Sequence, residues 1–392
     1  MMMTDGGVLM TASRDMDRHG LKIAFFYEGL KPGGVEHMIA NLSHELLARG
    51  HSLTLILAGS PTDQDYPVAP GVDIHWLRHP TSSARGTIGA LAKLLRAGKY
   101  DIVLSAMPQF NNAAVFSRIL SRTKARNVLT ERTNPQADYV RLEGWKQKAW
   151  HKAAAIAYPF ASEIVAVSGG LADSLARFAG LNRNRISVIY NPAYRSQTYS
   201  DAEIAALAHP WTRDGKGPVI VAAGRLVEQK NFATLIRAMA QIEQNPPVRA
   251  VIFGDGPLRT DLEALVASLG IGDRVALPGF VPDINPSIVA SGFFVLSSGW
   301  EGFGNVLIEA LGSGASIVTT DCPDGPREIV VDGRFGTLVP VGDAAAMAAA
   351  IDAMIRNPAA RDQQIDRARA FSIPIACDQY ETVFRRALGV RV

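Results

Sequence analysis

The sequence predicts an α/β protein built from two Rossmann-like, doubly wound domains in tandem. Three observations carry this. Continuous apolar runs of strand length alternate with helical periodicities, as a parallel sheet covered on both faces requires. Glycine-bearing turns fall between many of these runs and the helix that follows. The pattern stops at a polar, irregular stretch near the middle of the 392 residues and then starts again.

In chain order, "LKIAFFYEG" (Leu21 to Gly29) reads as the first strand and "GGVEHMIANLSHELLARG" as a helix ending at Gly50. "HSLTLILAG" and "VDIHWLR" are strands, and "TIGALAKLLRAG" is a helix closed by Gly98. "YDIVLSAM", "RNVLTER" and "EIVAVS" are strands, "GGLADSLARFAG" is a helix, and "ISVIYNP" closes the first half. The stretch from Pro192 to Pro218, with "YRSQTYSDAE" and "HPWTRDGKGP", is read as irregular. The second half supplies the strands "PVIVAAGRL", "VRAVIFGDG", "RVALPGF", "FFVLSSG", "ASIVTTD" and "GTLVPVGD" with helices between them. The expected division is a loose tail over 1–20, a first domain over 21–195, a linker over 196–217, a second domain over 218–370 and a terminal segment over 371–392. The tail mixes Met, Gly, Asp and Arg without an apolar segment and does not read as a secretion signal.

Composition narrows the function classes. Apolar residues make up 47% and charged residues 20%, which describes a globular chain rather than a disordered one. The net charge of +3 is too small to argue for nucleic acid. Two cysteines, Cys322 and Cys377, fit a reducing compartment and leave no disulfide framework or zinc spacing. No run of about eighteen uninterrupted apolar residues offers a membrane span. The expected setting is cytoplasmic.

The chemistry-bearing motifs sit at strand carboxyl ends, where ligands of doubly wound sheets bind. In "AAGRLVEQKNF", Arg225 and Lys230 follow a strand and precede a helix. Two cations beside a helix N-terminus suit a diphosphate, and solvated surface cations are an equal reading. "FGDGPL" reads first as a tight turn, and "LPGFV" as a strand end able to present Gly279, Phe280 and Val281 to a base. "WEGFGNVLIEALGSG" is the most informative segment. Gly302 and Gly304 let the backbone approach a ligand, and the N–H groups of Gly302, Phe303, Gly304, Asn305 and Val306 lead into a helix as an anion site. Glu301 lies on that loop within reach of sugar hydroxyls. Glu309 lies about one turn into an apolar helix, where a carboxylate needs a partner, and a ribose would be one. "DCPDGPREI" is a neighbouring loop that starts the next helix, and Gly33 and Gly34 separate the first strand from its helix.

Taken in order, "GGVE" (33–36), "VSGGLADSL" (167–175), "NP" (191–192), "GRLVEQKNF" (224–232), "GDGPL" (254–258), "PGFVPD" (278–283) and "EGFGNVLIEALGSG" (301–314) resemble the retaining glycosyltransferases of family 4, from Leu21 to Asp352. "TERTNP" and "DCPDGPREI" look like the bacterial subgroup that builds surface polysaccharides. The resemblance implies the GT-B fold, with the two domains facing across a cleft and the last helix crossing back to the first domain. It implies a nucleotide diphosphate sugar, a UDP-sugar by preference, as donor and a lipid-linked or saccharide hydroxyl as acceptor. Arg225 and Lys230 would hold the diphosphate and stabilise the departing phosphate. Glu301 would contact the sugar, and Glu309 the ribose. Residues 302–306 would line sugar and phosphate, with Gly34 against the diphosphate. The base would lie near 279–281. One departure is that many members carry a histidine after the fourth strand, where this chain reads "SAMPQFNNAA". Gln109, Asn111 or Asn112 replaces its contact, or Glu131 and Arg132 work on the acceptor side.

The two cations would do what a divalent metal does elsewhere. The triplets Asp15/Asp17 and Asp63/Asp65 are read as chance, so no metal or cofactor is expected. Between Arg118 and Lys152 nine Lys or Arg meet three acids. There "WKQKAWHKAAAIA" sets Trp145, Ala149, Ala153 and Ile156 on one helical face, flanked by Lys146, Lys148 and Lys152, with Trp150 in the same segment. That is a candidate contact with an anionic membrane, the inner face of the cytoplasmic membrane in this setting, set against an ordinary packed helix. A nicotinamide dehydrogenase would need G-x-G-x-x-G after the first strand, which "YEGLKPGGVE" lacks. A sugar-nucleotide epimerase of the same fold is the alternative.

Overall fold

A computed structural model describes residues 20–31, 34–62, 65–79 and 83–390. The chain divides into two compact units, and the boundary differs from the expected one. Unit 1 runs to Pro192 and regains the chain from Ile373 onward, while unit 2 spans Ala193–Ser372.

Unit 1 is built on a seven-stranded sheet in the order β3-β2-β1-β4-β5-β6-β7. Its strands are β1 (Lys22–Tyr27), β2 (Ser52–Leu57), β3 (Asp73–Trp76), β4 (Ile102–Ala106), β5 (Arg126–Glu131), β6 (Glu163–Ala166) and β7 (Ile186–Val188). All pairings are parallel, with Ile23 opposite both Leu53 and Ile102. In β1, β2 and β5 every residue after the first is buried, and in β4 all are. The continuous apolar runs come from that two-sided burial. The terminal helix Ile373–Ala387 belongs to this unit: His51 Nε2 meets Glu381 at 3.0 Å, and Arg386 donates to both Glu163 oxygens at 2.8 and 2.6 Å.

Unit 2 carries a six-stranded sheet in the order β10-β9-β8-β11-β12-β13. Its strands are β8 (Val219–Ala223), β9 (Arg249–Phe253), β10 (Val275–Gly279), β11 (Phe293–Leu296), β12 (Ser316–Thr320) and β13 (Thr337–Val339). The order reverses between β8 and β11, so the loops following these two strands meet at the switch point.

The stretch expected to be an irregular linker is structured within unit 2. Ser200 starts the helix Asp201–Leu207 with a capping box, its side chain accepting from Glu203 N while Glu203 accepts from Ser200 N. The His209 amide donates to Ser287 Oγ at 2.9 Å, and Arg249 holds Asp214 through two hydrogen bonds of 2.7 Å. The single helical face expected from Trp145 to Ile156 is also interrupted. The helix Trp145–Lys152 ends, and a short one, Ala154–Ala157, follows.

Candidate functional site

The loop after β8 and the loop after β11 are stitched together. Gly299 N donates to Gln229 O at 2.8 Å, Gln229 Nε2 to Trp300 O at 3.1 Å, and Ser297 Oγ to Lys230 O at 2.8 Å. Across this seam Lys230 Nζ meets Glu301 Oε1 at 2.5 Å, with the two side chains only 17% and 7% exposed. Ser298 Oγ donates to the same carboxylate oxygen at 2.6 Å. Gly224 has φ of +155°, and a Cβ there would lie 3.2 Å from the Lys230 methylenes, so the lysine stem runs over the glycine. Arg225, in the same loop, is exposed.

Glu301 is therefore not an open loop carboxylate. It is buried and already bonded to Lys230 and Ser298, because the two loops close on each other at the switch point.

The helix that follows spans Asn305–Gly312. Gly304 precedes it at φ +100°, a left-handed conformation that favours glycine, and no side chain caps the helix start. Gly302 is half-buried, and Phe303 is buried with its ring 5.8 Å from that of Phe371. Asn305 and Val306 are half-buried in the first turn. Leu307, Ile308, Ala310 and Leu311 face the core, which leaves Glu309 half-buried on the remaining side. Among the described residues no hydrogen bond reaches its carboxylate. Burial, and then Asp283, push that carboxyl up to about 7. Asp283 itself accepts from Tyr199 Oη at 2.7 Å.

Gly279 ends β10 at φ +98°, Phe280 is 75% exposed, and Val281 is half-buried. Gly254 and Gly256 have a packing reason. A Cβ on Gly254 would overlap the Gly224 carbonyl, and one on Gly256 would press on Leu226 at 2.6 Å. Both glycines are needed where this loop packs against the loop after β8, which also exchanges backbone hydrogen bonds with it, Leu226 N to Asp255 O at 2.9 Å and Leu258 N to Leu226 O at 3.0 Å.

In unit 1, Gly33 lies outside the described residues, as do Asp15, Asp17 and Asp63, and Gly34 is the first residue of the helix Gly34–Ala48. Asp65 is engaged locally with Thr62. Among the described residues no cluster of three or more His, Cys, Asp or Glu is placed to hold a metal.

The acceptor-side assignments change. Gln109 is half-buried in the helix Pro108–Ser121. Asn111 and Glu131 are fully buried in a polar network: Asn111 Nδ2 donates to Glu131 Oε1 at 2.8 Å, to Thr130 O at 3.0 Å and to Tyr158 Oη at 3.1 Å, and Ser105 Oγ donates to Asn111 Oδ1 at 2.6 Å. Tyr158 Oη donates to Glu131 Oε1, and Glu131 Oε2 has no partner. Burial pushes the Glu131 carboxyl up to about 8, against the lowering effect of those hydrogen bonds. Asn112 is buried too, its amide nitrogen donating to Trp150 O at 2.7 Å. Arg132 donates to Asn191 Oδ1 and to Tyr380 Oη. In this structure Asn111, Asn112, Glu131 and Arg132 hold the unit together rather than presenting themselves to an acceptor.

Of the candidate membrane residues, Trp145 is 74% exposed, Lys146 and Lys152 are exposed, and Lys148 is half-buried. Trp150 is half-buried: its ring packs 5.8 Å from Phe116 against the core, while it shares an open hollow with Trp145 and Lys146. Ile156, expected on that face, is exposed, as are Val140 and Phe160, which the sequence did not single out. No helix among the described residues is long and apolar enough to cross a membrane.

The model for "Glycosyltransferase Family 4" matches residues 32–194, and that for "Glycosyl transferases group 1" matches residues 205–371. A Campylobacter jejuni N-acetylgalactosamine-N,N'-diacetylbacillosaminyl-diphospho-undecaprenol 4-alpha-N-acetylgalactosaminyltransferase is 28% identical over 373 residues, covering 91% of this chain and 98% of its own. The Rhizobium meliloti lipopolysaccharide core biosynthesis glycosyltransferase LpsE is 37% identical over 150 residues, 38% of this chain and 43% of that protein. Anabaena Alr3699/HepE, solved in complex with UDP, matches with a TM-score of 0.74 at 21% identity, covering 92% of this chain and 99% of that one. That last likeness shows a shared fold.

Proposed function

The chain belongs to the family 4 glycosyltransferases with the GT-B fold, and on that premise we propose that it transfers a hexose or N-acetylhexosamine from a UDP-sugar to an acceptor hydroxyl with retention of configuration. The acceptor is a lipid-linked or saccharide hydroxyl in surface-polysaccharide assembly, a reading supported by what the Campylobacter and Rhizobium relatives do. The HepE complex supports UDP.

One observation carries the reading: the half-buried Lys230 paired with the buried Glu301 at the switch point, beside the exposed Arg225 and a helix start without a capping side chain. In the transfer, the bond from C1 of the sugar to the β-phosphate oxygen breaks and its electron pair stays on the diphosphate. The acceptor oxygen bonds to C1 on the same face, and its proton passes to the departing phosphate oxygen. Negative charge grows on the diphosphate, where Lys230, Arg225 and the N–H groups opening the Asn305–Gly312 helix act on it. These groups supply the charge that a metal supplies elsewhere, so turnover is expected to survive chelation by EDTA. The protein is also proposed to contact anionic membrane through the exposed Trp145 with Lys146 beside its ring, the exposed Lys152, and the exposed Val140, Ile156 and Phe160 of the same segment.

The test is release of UDP from a panel of UDP-sugars, with and without saccharide acceptors. Acceptor-dependent release with one donor, lost by at least about a hundredfold in Lys230→Ala, is expected. No acceptor-dependent release from any donor would overturn the reading.

A further inference from the structure

The geometry points to Glu301 and Ser298 as positioning residues for Lys230, an inference that rests on the donor reading above. Glu301 was expected to reach the sugar. Its Oε1 instead takes two donors at once, the Lys230 ammonium at 2.5 Å and Ser298 Oγ at 2.6 Å. Ser298 is fully buried, and its own carbonyl accepts from Thr320 Oγ1 at 2.6 Å, on the neighbouring strand β12. The chain of contacts runs from a rigid strand, through Ser298, to Glu301 and then to the lysine head.

The rest of the lysine is fixed as well. Its carbonyl is held by Ser297 Oγ at 2.8 Å, and its stem lies over Gly224, where a Cβ would stand 3.2 Å away. A lysine on four methylenes ordinarily loses much rotamer freedom when it engages a phosphate. Here the loss is taken on folding, so the ammonium is in place before the nucleotide arrives, as preorganised charge stabilisation requires. The carboxylate also gives the partly buried cation a partner.

Binding of UDP and UMP to the full chain, measured by calorimetry, separates this from the other roles. UMP lacks the β-phosphate that Lys230 would hold. Ser298→Ala is expected to weaken UDP binding about three- to tenfold and leave UMP binding unchanged. Glu301→Gln, which keeps the shape and loses the charge, should do the same. Adding Ser298→Ala to Lys230→Ala should change neither affinity, because the effect passes through the lysine. Equal loss for UDP and UMP, or a further loss of UDP binding in the Lys230→Ala background, would mean a merely structural serine and would overturn the inference. So would unchanged UDP binding with weaker binding of the UDP-sugar alone, the outcome that a sugar-contacting Glu301 requires. A parent protein that binds neither UDP nor GDP nor ADP would remove the donor reading itself, and the inference with it.

Discussion

Glu309 and Glu131 show how much a single carboxylate depends on its surroundings. Glu309 is half-buried, without a hydrogen-bond donor among the described residues, and held near 7 first by burial and then by Asp283. Ribose hydroxyls would donate to its ionised form, so the proton and the nucleotide compete. UDP should therefore bind more weakly as pH falls below about 7, by at most about tenfold per pH unit. Glu309→Gln should lose that dependence, and the variant's own profile carries the titration of the nucleotide phosphates. Identical pH profiles of Kd for parent and variant would exclude the ribose role. Glu131 is buried with its carboxyl at about 8, so the folded state favours the protonated form. The associated stability is complete below the ordinary carboxylate range and is lost as pH rises through 8, on the order of a few kcal/mol. Glu131→Gln should therefore melt higher than the parent at pH 9 and gain nothing at pH 5. An equal change at both pH values would show that the carboxylate does not titrate as described.

The elements were legible to different degrees, for physical reasons. The central strands of both sheets could be read directly, because burial on both faces writes a continuous apolar run such as "KIAFFY", while edge strands such as β3 (Asp73–Trp76) are largely exposed and carry no such run. The helix Asp201–Leu207 was missed although its signal, Ser200 followed three residues later by Glu203, was present in "SDAE". The Lys230–Glu301 pair could not be read, since 71 residues separate its members and the β8–β11 switch point alone brings them together. The burial of Asn111, in the helix Pro108–Ser121, and of Glu131, at the end of β5, was equally hidden, because a polar residue has the same letter whether it faces solvent or a network. Loop packing next to the candidate site gives a test at this scale. Gly325, which opens the helix Pro326–Ile329, has φ of +57° and ψ of −69°, and a Cβ there would overlap the Phe303 carbonyl oxygen. Gly325→Ala must strain that backbone or push the 301–304 loop away, costing at least about 1–3 kcal/mol. Thermal unfolding should show the loss, and donor turnover should fall with it. A variant with parental Tm and parental rate would show that the two loops do not bear on each other.

At the scale of the whole molecule, charge is unevenly spread. The net charge is only +3, yet nine of the cations and just three acids fall between Arg118 and Lys152. In that same segment and just beyond it, Val140, Trp145, Ile156 and Phe160 are 68%, 74%, 64% and 58% exposed. Each alone is unremarkable. On the proposed membrane reading, these apolar groups would insert at a headgroup boundary and Lys146 and Lys152 would meet anionic lipid, each lysine contributing about 1 kcal/mol. The half-buried Trp150 packs against the core, so it contrasts with the exposed Trp145 in how a tryptophan change acts. The protein should float with vesicles containing anionic phospholipid and remain behind with purely zwitterionic ones. Trp145→Glu should abolish flotation while leaving Tm and UDP affinity near parental, and Lys146→Glu with Lys152→Glu should weaken it roughly tenfold or more, with high salt acting in the same direction. Trp150→Ala should lower Tm by removing a packed ring, and flotation of the fraction that remains folded should be unaltered. Flotation that is indifferent to Trp145 and to lipid charge would mean that this face is an ordinary solvated one.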